Sequence, residues 1–204
     1  MIESTYILSR AARATCRDGQ IYLLLVAALL LCAGPLSAET TREPENMEVE
    51  ERLGEYVPTD VELDDESGAS IVLGDLFETN SQKPIIIVPS YYTCPRLCTY
   101  IFNAVQKAAS EVQSSRGLEP GGDYLIVSVS FRPEDTPAIA REKAAKYRNL
   151  FQPPLKPEAW RFLTGKPEEV GRLMEALGYP YRPDGEEDYT HGAAIMMLAP
   201  DGKI

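Results

Sequence analysis

Histidine is nearly absent from this 204-residue chain: His191 stands alone. Cysteine is sparse as well. Two of its four copies, Cys16 and Cys32, fall in the first 38 residues, which leaves Cys94 and Cys98 for the rest. A body with three thiol and imidazole groups cannot build a four-ligand structural zinc site, and iron–sulfur clusters need more cysteines. Positive charge is also short. Twenty Lys and Arg against 31 Asp and Glu give a net charge of -11, a surface that repels phosphate backbones and excludes nucleic acid as a partner. Such a surface suits a protein that meets cations or cationic partners, and a plain solvated acidic surface explains it equally well. The longest apolar run, Ile21 to Ala33, has 13 residues, too few to read as an ordinary membrane span. No internal repeat or low-complexity tract is present.

That run has the setting of a secretory signal peptide. Arg10, Arg13 and Arg17 precede it, and Pro35-Leu-Ser-Ala38 offers a small-residue cleavage site before Glu39. An uncleaved N-terminal anchor is the alternative, while bulky Leu31 before Cys32 argues against a lipoprotein site. The expected location is the periplasm, with membrane contact only through an uncleaved leader in the inner membrane. Residues 1–38 carry three basic and two acidic residues, so 17 basic and 29 acidic remain in a mature length of 166. That length suits one domain with a full core. Residues 39–52 are acidic without apolar periodicity and read as a flexible linker. Residues 53–204 form the folded domain.

Within it, apolar runs alternate with helical patterns. Leu53–Leu63 and Ser70–Leu73 read as strands joined by the turn cluster Asp64–Gly68, an N-terminal β-hairpin. Leu76 and Phe77 are expected to pack. Buried strands are expected at Pro84–Val88, Asp123–Ser130, Trp160–Leu163 and Ala193–Leu198, with a tight turn at Ala199–Gly202. Helices are expected over Tyr100–Val112, over Thr136–Leu150 with Thr136 as N-cap and Pro137 first, and over Lys166–Leu177 with Gly178 as stop. Strands alternating with helices imply an α/β domain with parallel central strands.

The chemistry gathers at Ser90-Tyr-Tyr-Thr-Cys94-Pro-Arg-Leu-Cys98-Thr99, between a buried strand and a helix. Four residues make about one helical turn, so both sulfurs share a face at a helix N-terminus, which favours thiolate over thiol. A disulfide there closes a short loop and stabilises little, so chemistry is the better reading of the pair than structure. His191 precedes the last buried strand and opens on the edge of the sheet where ligands bind in α/β folds. Two thiolates and an imidazole make a three-coordinate set suited to Cu(I), and to Cu(II) with a further weak ligand.

Other readings of these residues stay open. Thioredoxin-type catalysts place Cys-x-x-Cys on the same strand–turn–helix, with a proline facing the pair. Here three residues separate the cysteines, and Thr190-His191 stands where that proline is expected. A metal-free thiol–disulfide reductase, a peroxidase using Cys94 with Cys98 as resolving thiol, and a redox-sensing module all use the same pair. Zinc hydrolysis lacks an obvious glutamate-bearing ligand helix. Tyr91 and Tyr92 either line the pocket or pack in the core. Met196 and Met197 read as core, and Glu186-Glu-Asp188 as a solvated loop.

Four motifs in order carry a family resemblance: Tyr91-Tyr-Thr-Cys-Pro-Arg-Leu-Cys-Thr99; Val127-Ser-Val-Ser-Phe-Arg-Pro-Glu-Asp-Thr-Pro137; Trp160-Arg-Phe-Leu-Thr-Gly165; and Tyr189-Thr-His-Gly192 with Pro200-Asp-Gly202. Over residues 53 to 204 the chain resembles the Sco/SenC proteins of copper delivery to cytochrome c oxidase. The resemblance implies a thioredoxin-like α/β fold, with Cys94, Cys98 and His191 as copper ligands. It further implies a role at the CuA centre of the oxidase as copper donor, as reductant of its cysteines through Cys94 and Cys98, or both. The expected partners are the CuA-bearing subunit and other periplasmic copper carriers or thiol reductants. Three departures stand out: Thr190 replaces the aspartate before the histidine, Phe131-Arg-Pro133 replaces the Asp-Pro after the second strand, and Pro89 interrupts the central strand. Family members continue past the final turn with more strand and a helix. The resemblance therefore implies a domain cut short at Ile204 and less stable than a full-length relative.

Overall fold

The computed structural model describes residues 47–79, 83–94, 97–185 and 188–204. The expected leader, with Cys16 and Cys32, lies outside the described residues, as do Arg96 and Glu186-Glu187. No helix among the described residues is long and apolar enough to cross a membrane.

The elements in order are β1 (Glu62–Asp64), β2 (Ser70–Val72), α1 (Leu73–Thr79), β3 (Ile85–Ser90), α2 (Leu97–Arg116), β4 (Leu125–Ser130), α3 (Pro137–Arg148), β5 (Trp160–Leu163), α4 (Pro167–Ala176), β6 (Tyr181–Asp184), β7 (Asp188–His191) and β8 (Met196–Leu198). The central sheet runs β5-β4-β3-β8, parallel except for β8. Both parallel crossovers step the same way across the sheet, and right-handed connection then sets α2 and α3 on one face. This is the thioredoxin-like α/β architecture expected from the sequence, with its central mixed sheet and flanking helices.

The core between sheet and helices is aromatic. Trp160 and Phe162 stack at 5.3 Å, Phe102 of α2 lies 5.0 Å from Tyr147 of α3, and Tyr92 lies 5.7 Å from Phe162. The polar handles of these rings are satisfied. Trp160 donates to Ser128 Oγ at 2.9 Å, and the Tyr92 hydroxyl donates to the Leu163 carbonyl at 2.6 Å. The short hairpin β1–β2 is tied to the sheet edge by paired backbone bonds between Asp64 and Thr164 and by the part-buried Arg148–Glu66 ion pair.

Several expectations change. The first strand shortens to three residues, because Leu53–Val61 finds no ladder beyond one bridge, Tyr56 to Lys203. Leu73, Leu76 and Phe77 sit in a helix, α1, whose spacing buries all three on one side. Pro89 does not interrupt β3. Pro84 and Ser90 accept bonds from the β4 side, so the alternate residue Pro89 turns its missing donor toward β8, whose pairing stops at Ile87. The expected linker 39–52 is docked in its described part: Val49 packs on the core, and Glu50 N–H donates to the Gly178 carbonyl at 2.9 Å. Gly178, at φ +62, stops α4 as expected, and a side chain there meets the Glu50 carbonyl. Met196 is core, but Met197 is 63% exposed because successive residues of β8 face opposite sides.

Candidate metal centre

The carboxyl ends of β3 and β4 open at one edge, and the chemistry-bearing residues collect there. Tyr91 to Cys94 turn away from β3, and α2 starts at Leu97 with Cys98 in its first turn. The turn is held by one buried carboxylate. Asp135, 4% exposed, accepts from Tyr92 N–H at 2.5 Å, Ser130 Oγ at 2.6 Å and Thr93 Oγ1 at 3.0 Å. Asp135 follows β4, and Thr136 caps α3 by accepting from Ile139 N–H, so one dipeptide fixes both the cysteine turn and a helix start.

Cys94 and Cys98 are buried and not joined in a disulfide. Backbone donors converge on both sulfurs: Cys98 N–H points to Cys94 Sγ at 3.4 Å, and Tyr91 N–H to Cys98 Sγ at 3.5 Å. Burial nevertheless pushes the Cys98 thiol up to about 12, with the neighbouring Cys94 adding to the rise. The expectation that the helix N-terminus would favour thiolate is therefore overturned for Cys98. Desolvation of the anion outweighs one helix end, and Cys98 rests as a thiol.

His191 closes the edge from the other side. It ends β7, the second strand of the β6–β7 ribbon, rather than lying in a loop, and its Nε2 is 3.9 Å from Cys98 Sγ. A first-row metal bound to sulfur at about 2.3 Å and nitrogen at about 2.0–2.1 Å holds those atoms about 3.7–3.8 Å apart at a trigonal angle. The spacing fits. The other ring nitrogen, Nδ1, lies 2.6 Å from the Gly192 carbonyl and 2.9 Å from the Tyr179 hydroxyl, which itself donates to that carbonyl at 2.5 Å. A carbonyl only accepts, so this network assigns the proton to Nδ1 and leaves the Nε2 lone pair facing the sulfur. Rings shield the imidazole: Phe131 at 5.2 Å, Tyr91 edge-on at 5.9 Å and Tyr179 at 6.3 Å. Among the described residues no group of three His, Cys, Asp or Glu is arranged to hold a metal ion. What the edge offers is two cysteines and one imidazole nitrogen, of which Cys98 touches both others.

Of the residues singled out by sequence, Cys98 is the meeting point: its N–H lies 3.4 Å from Cys94 Sγ and its Sγ 3.9 Å from His191 Nε2. Tyr91 and Tyr92 divide the two roles foreseen for them. Tyr92 is core, while Tyr91 turns its hydroxyl to Asp188 at the site, and burial and that carboxylate hold its phenol un-ionised. Asp188 is therefore half-buried and bonded, not part of a solvated loop, and it partners Tyr91 rather than His191. Tyr179, Phe131 and Asp135 were missed. Tyr179-Pro-Tyr181 directly after a helix stop, and the Asp-Thr-Pro cap, are the signals that pointed to two of them. Phe131, buried directly after β4, supplies an apolar wall to the site.

Comparison with known proteins bears on the family and the fold. Residues 74–204 match the SCO1/SenC family model. The SCO1 protein homolog of Bacillus subtilis (strain 168) is 27% identical over 191 residues, covering 91% of this chain and 82% of that protein. Among solved structures, Arabidopsis thaliana ScoI with copper bound superposes with a TM-score of 0.57 at 18% identity, over 74% of this chain and 84% of that one. BsSco, described as a member of the Sco family of cytochrome c oxidase assembly proteins with a disulfide switch, superposes with a TM-score of 0.57 at 19% identity, over 76% and 83%.

Proposed function

The chain belongs to the SCO1/SenC family, and from that premise we propose that it is an exported copper-delivery protein of cytochrome c oxidase assembly. Cys94 and Cys98 supply two thiolates and His191 its Nε2. The observation that carries this reading is the Cys98 Sγ–His191 Nε2 spacing of 3.9 Å with the proton held on Nδ1. Copper is cargo here. A soft monovalent ion displaces both thiol protons, and the aromatic wall of Phe131 and Tyr91 limits the water that would compete for it. A Cys94–Cys98 disulfide removes both thiolates, so the same pair acts as a redox gate on loading. Copper-bound ScoI and the disulfide switch of BsSco support the two halves of this reading. The receiving partner is the CuA-bearing subunit of the oxidase, in a periplasmic location reached by the leader.

A second reading, a periplasmic thiol–disulfide reductase acting on the cysteines of that subunit without metal, is favoured by the Cys98 N–H contact to Cys94 Sγ, which keeps the pair together. Copper titration of the reduced protein separates the two. The delivery reading expects one equivalent of Cu(I), weakened by each of Cys94→Ala, Cys98→Ala and His191→Ala. Tight binding indifferent to His191→Ala transfers the case to the reductase, and a folded wild type that binds no copper ends the delivery reading.

A further inference from the structure

Helix α3 buries Ala140, Ala144 and Tyr147, the last meeting Phe102 of α2 at 5.0 Å, and Lys143 sits within that stripe. Its side chain is half-buried, and its ammonium lies 5.8 Å from the ring centroid of Phe102, one helical turn beyond Cys98 on α2. No described carboxylate makes an ion pair with it. A long cationic side chain in a helix–helix seam, next to alanines and an aromatic cluster and without an ion-pair partner, costs stability. Burial accordingly lowers its pKa, and the groups that act the other way are Cys98, Asp135 and Cys94. Lys143 in turn favours the thiolate of Cys98. The charged and titratable groups described around the dithiol are His191, Tyr91 with Asp188, Tyr179, Tyr147, Asp135, Arg132 with Glu134, and Lys143. Arg132 donates to Thr93 Oγ1 at 2.9 Å and pairs with Glu134 at 3.1 Å, whereas Lys143 has no ion pair among the described residues.

We propose that Lys143 is the counter-charge of the copper-loaded site, neutralising the one negative charge that two thiolates, a neutral imidazole and Cu(I) carry together. The inference rests on the copper reading above and adds a residue to it. Loading is balanced as Cu(I) plus two thiols giving the dithiolate complex and two protons to solvent. Without the ammonium, the buried negative charge keeps the Cys98 and Tyr91 N–H donors but loses the half-buried cation on the α3 side. With it, the charge that is a liability in the empty protein becomes favourable on loading. The cation therefore trades resting stability for copper affinity.

The test is competition of the reduced protein with a chromophoric chelator for Cu(I), together with thermal unfolding of the metal-free protein. Four proteins are compared: wild type, Lys143→Met, Lys143→Arg and Lys146→Met. Lys146 is exposed one turn away over the Tyr147 ring and controls for net charge. Lys143→Met is expected to weaken Cu(I) binding about tenfold while keeping or raising the thermal midpoint. Lys143→Arg and Lys146→Met are expected to bind like the wild type. A merely structural role would lower stability and affinity together. The inference is overturned if Lys143→Met binds like the wild type, if Lys146→Met weakens binding equally, or if Lys143→Arg is as weak as Met. A wild type that binds no Cu(I) overturns the delivery reading and this inference with it, whereas a binding wild type with an indifferent Lys143 overturns this inference alone.

Discussion

Replacing Tyr179 by Phe removes a single oxygen from the centre and leaves the ring that packs 5.9 Å from Phe131. That oxygen makes two contacts, at 2.9 Å to His191 Nδ1 and 2.5 Å to the Gly192 carbonyl. The Nδ1 proton retains the Gly192 carbonyl at 2.6 Å, so neither group is stranded. The stability loss is then that of one to two ordinary buried hydrogen bonds, about 1–2 kcal/mol. In a domain of this size that is a fall of about 3–7 °C in thermal midpoint. The effect on copper is separate. Loss of a hydrogen bond that orients a ligating imidazole costs about 10- to 100-fold in metal affinity. The surviving carbonyl contact puts the expectation at the lower end, about tenfold. Chelator competition for Cu(I) measures the affinity and unfolding scans with and without copper measure the stability. A Phe variant that loses several degrees yet binds Cu(I) like the wild type would show that Tyr179 supports only the fold. One that keeps its midpoint and its affinity would refute the hydrogen-bond assignment altogether.

Two further outcomes follow from the same edge. Asp135→Ala leaves the Tyr92 N–H, the Ser130 hydroxyl and the Thr93 hydroxyl without their shared acceptor. The expected loss is about 2–4 kcal/mol in urea unfolding, of which Asn recovers part; a loss under about 0.5 kcal/mol contradicts the clamp. The reduced, metal-free protein is expected to lose stability above pH 9. There the unfolded chain releases the Cys98 proton while the folded chain holds it toward about 12, so the unfolded state binds fewer protons and stability falls as pH rises. The slope is about 1.4 kcal/mol per pH unit at most, read between about pH 9 and about pH 10 before the tyrosines titrate. The same slope in Cys98→Ala would remove Cys98 as its source.

How much of this was legible in the sequence depends on which distances set each feature. The strands, α3 with its Thr136 cap and Pro137, and α4 with its Gly178 stop were readable because local periodicity and end signals specify them. The three residues proposed as ligands were readable for a different reason. In a chain with one histidine and two cysteines beyond residue 38, scarcity itself restricts the choice, and the strand–turn–helix setting adds the shared edge. What surrounds them was not. Tyr179 and His191 are twelve residues apart in sequence and meet because β6 and β7 pair Tyr181 with His191. Lys143 lies over the Phe102 ring of α2 through a tertiary contact, and a lysine on a helix reads as solvated until that contact is known. The protonation of Cys98 was misread on the same ground. The helix end is a local feature and visible in the sequence, whereas the desolvation that overrides it is assembled from β3, α2 and the ribbon together. The ligands of this site are therefore written locally, and the properties that tune them, which are tautomer, protonation and counter-charge, are written in tertiary contacts.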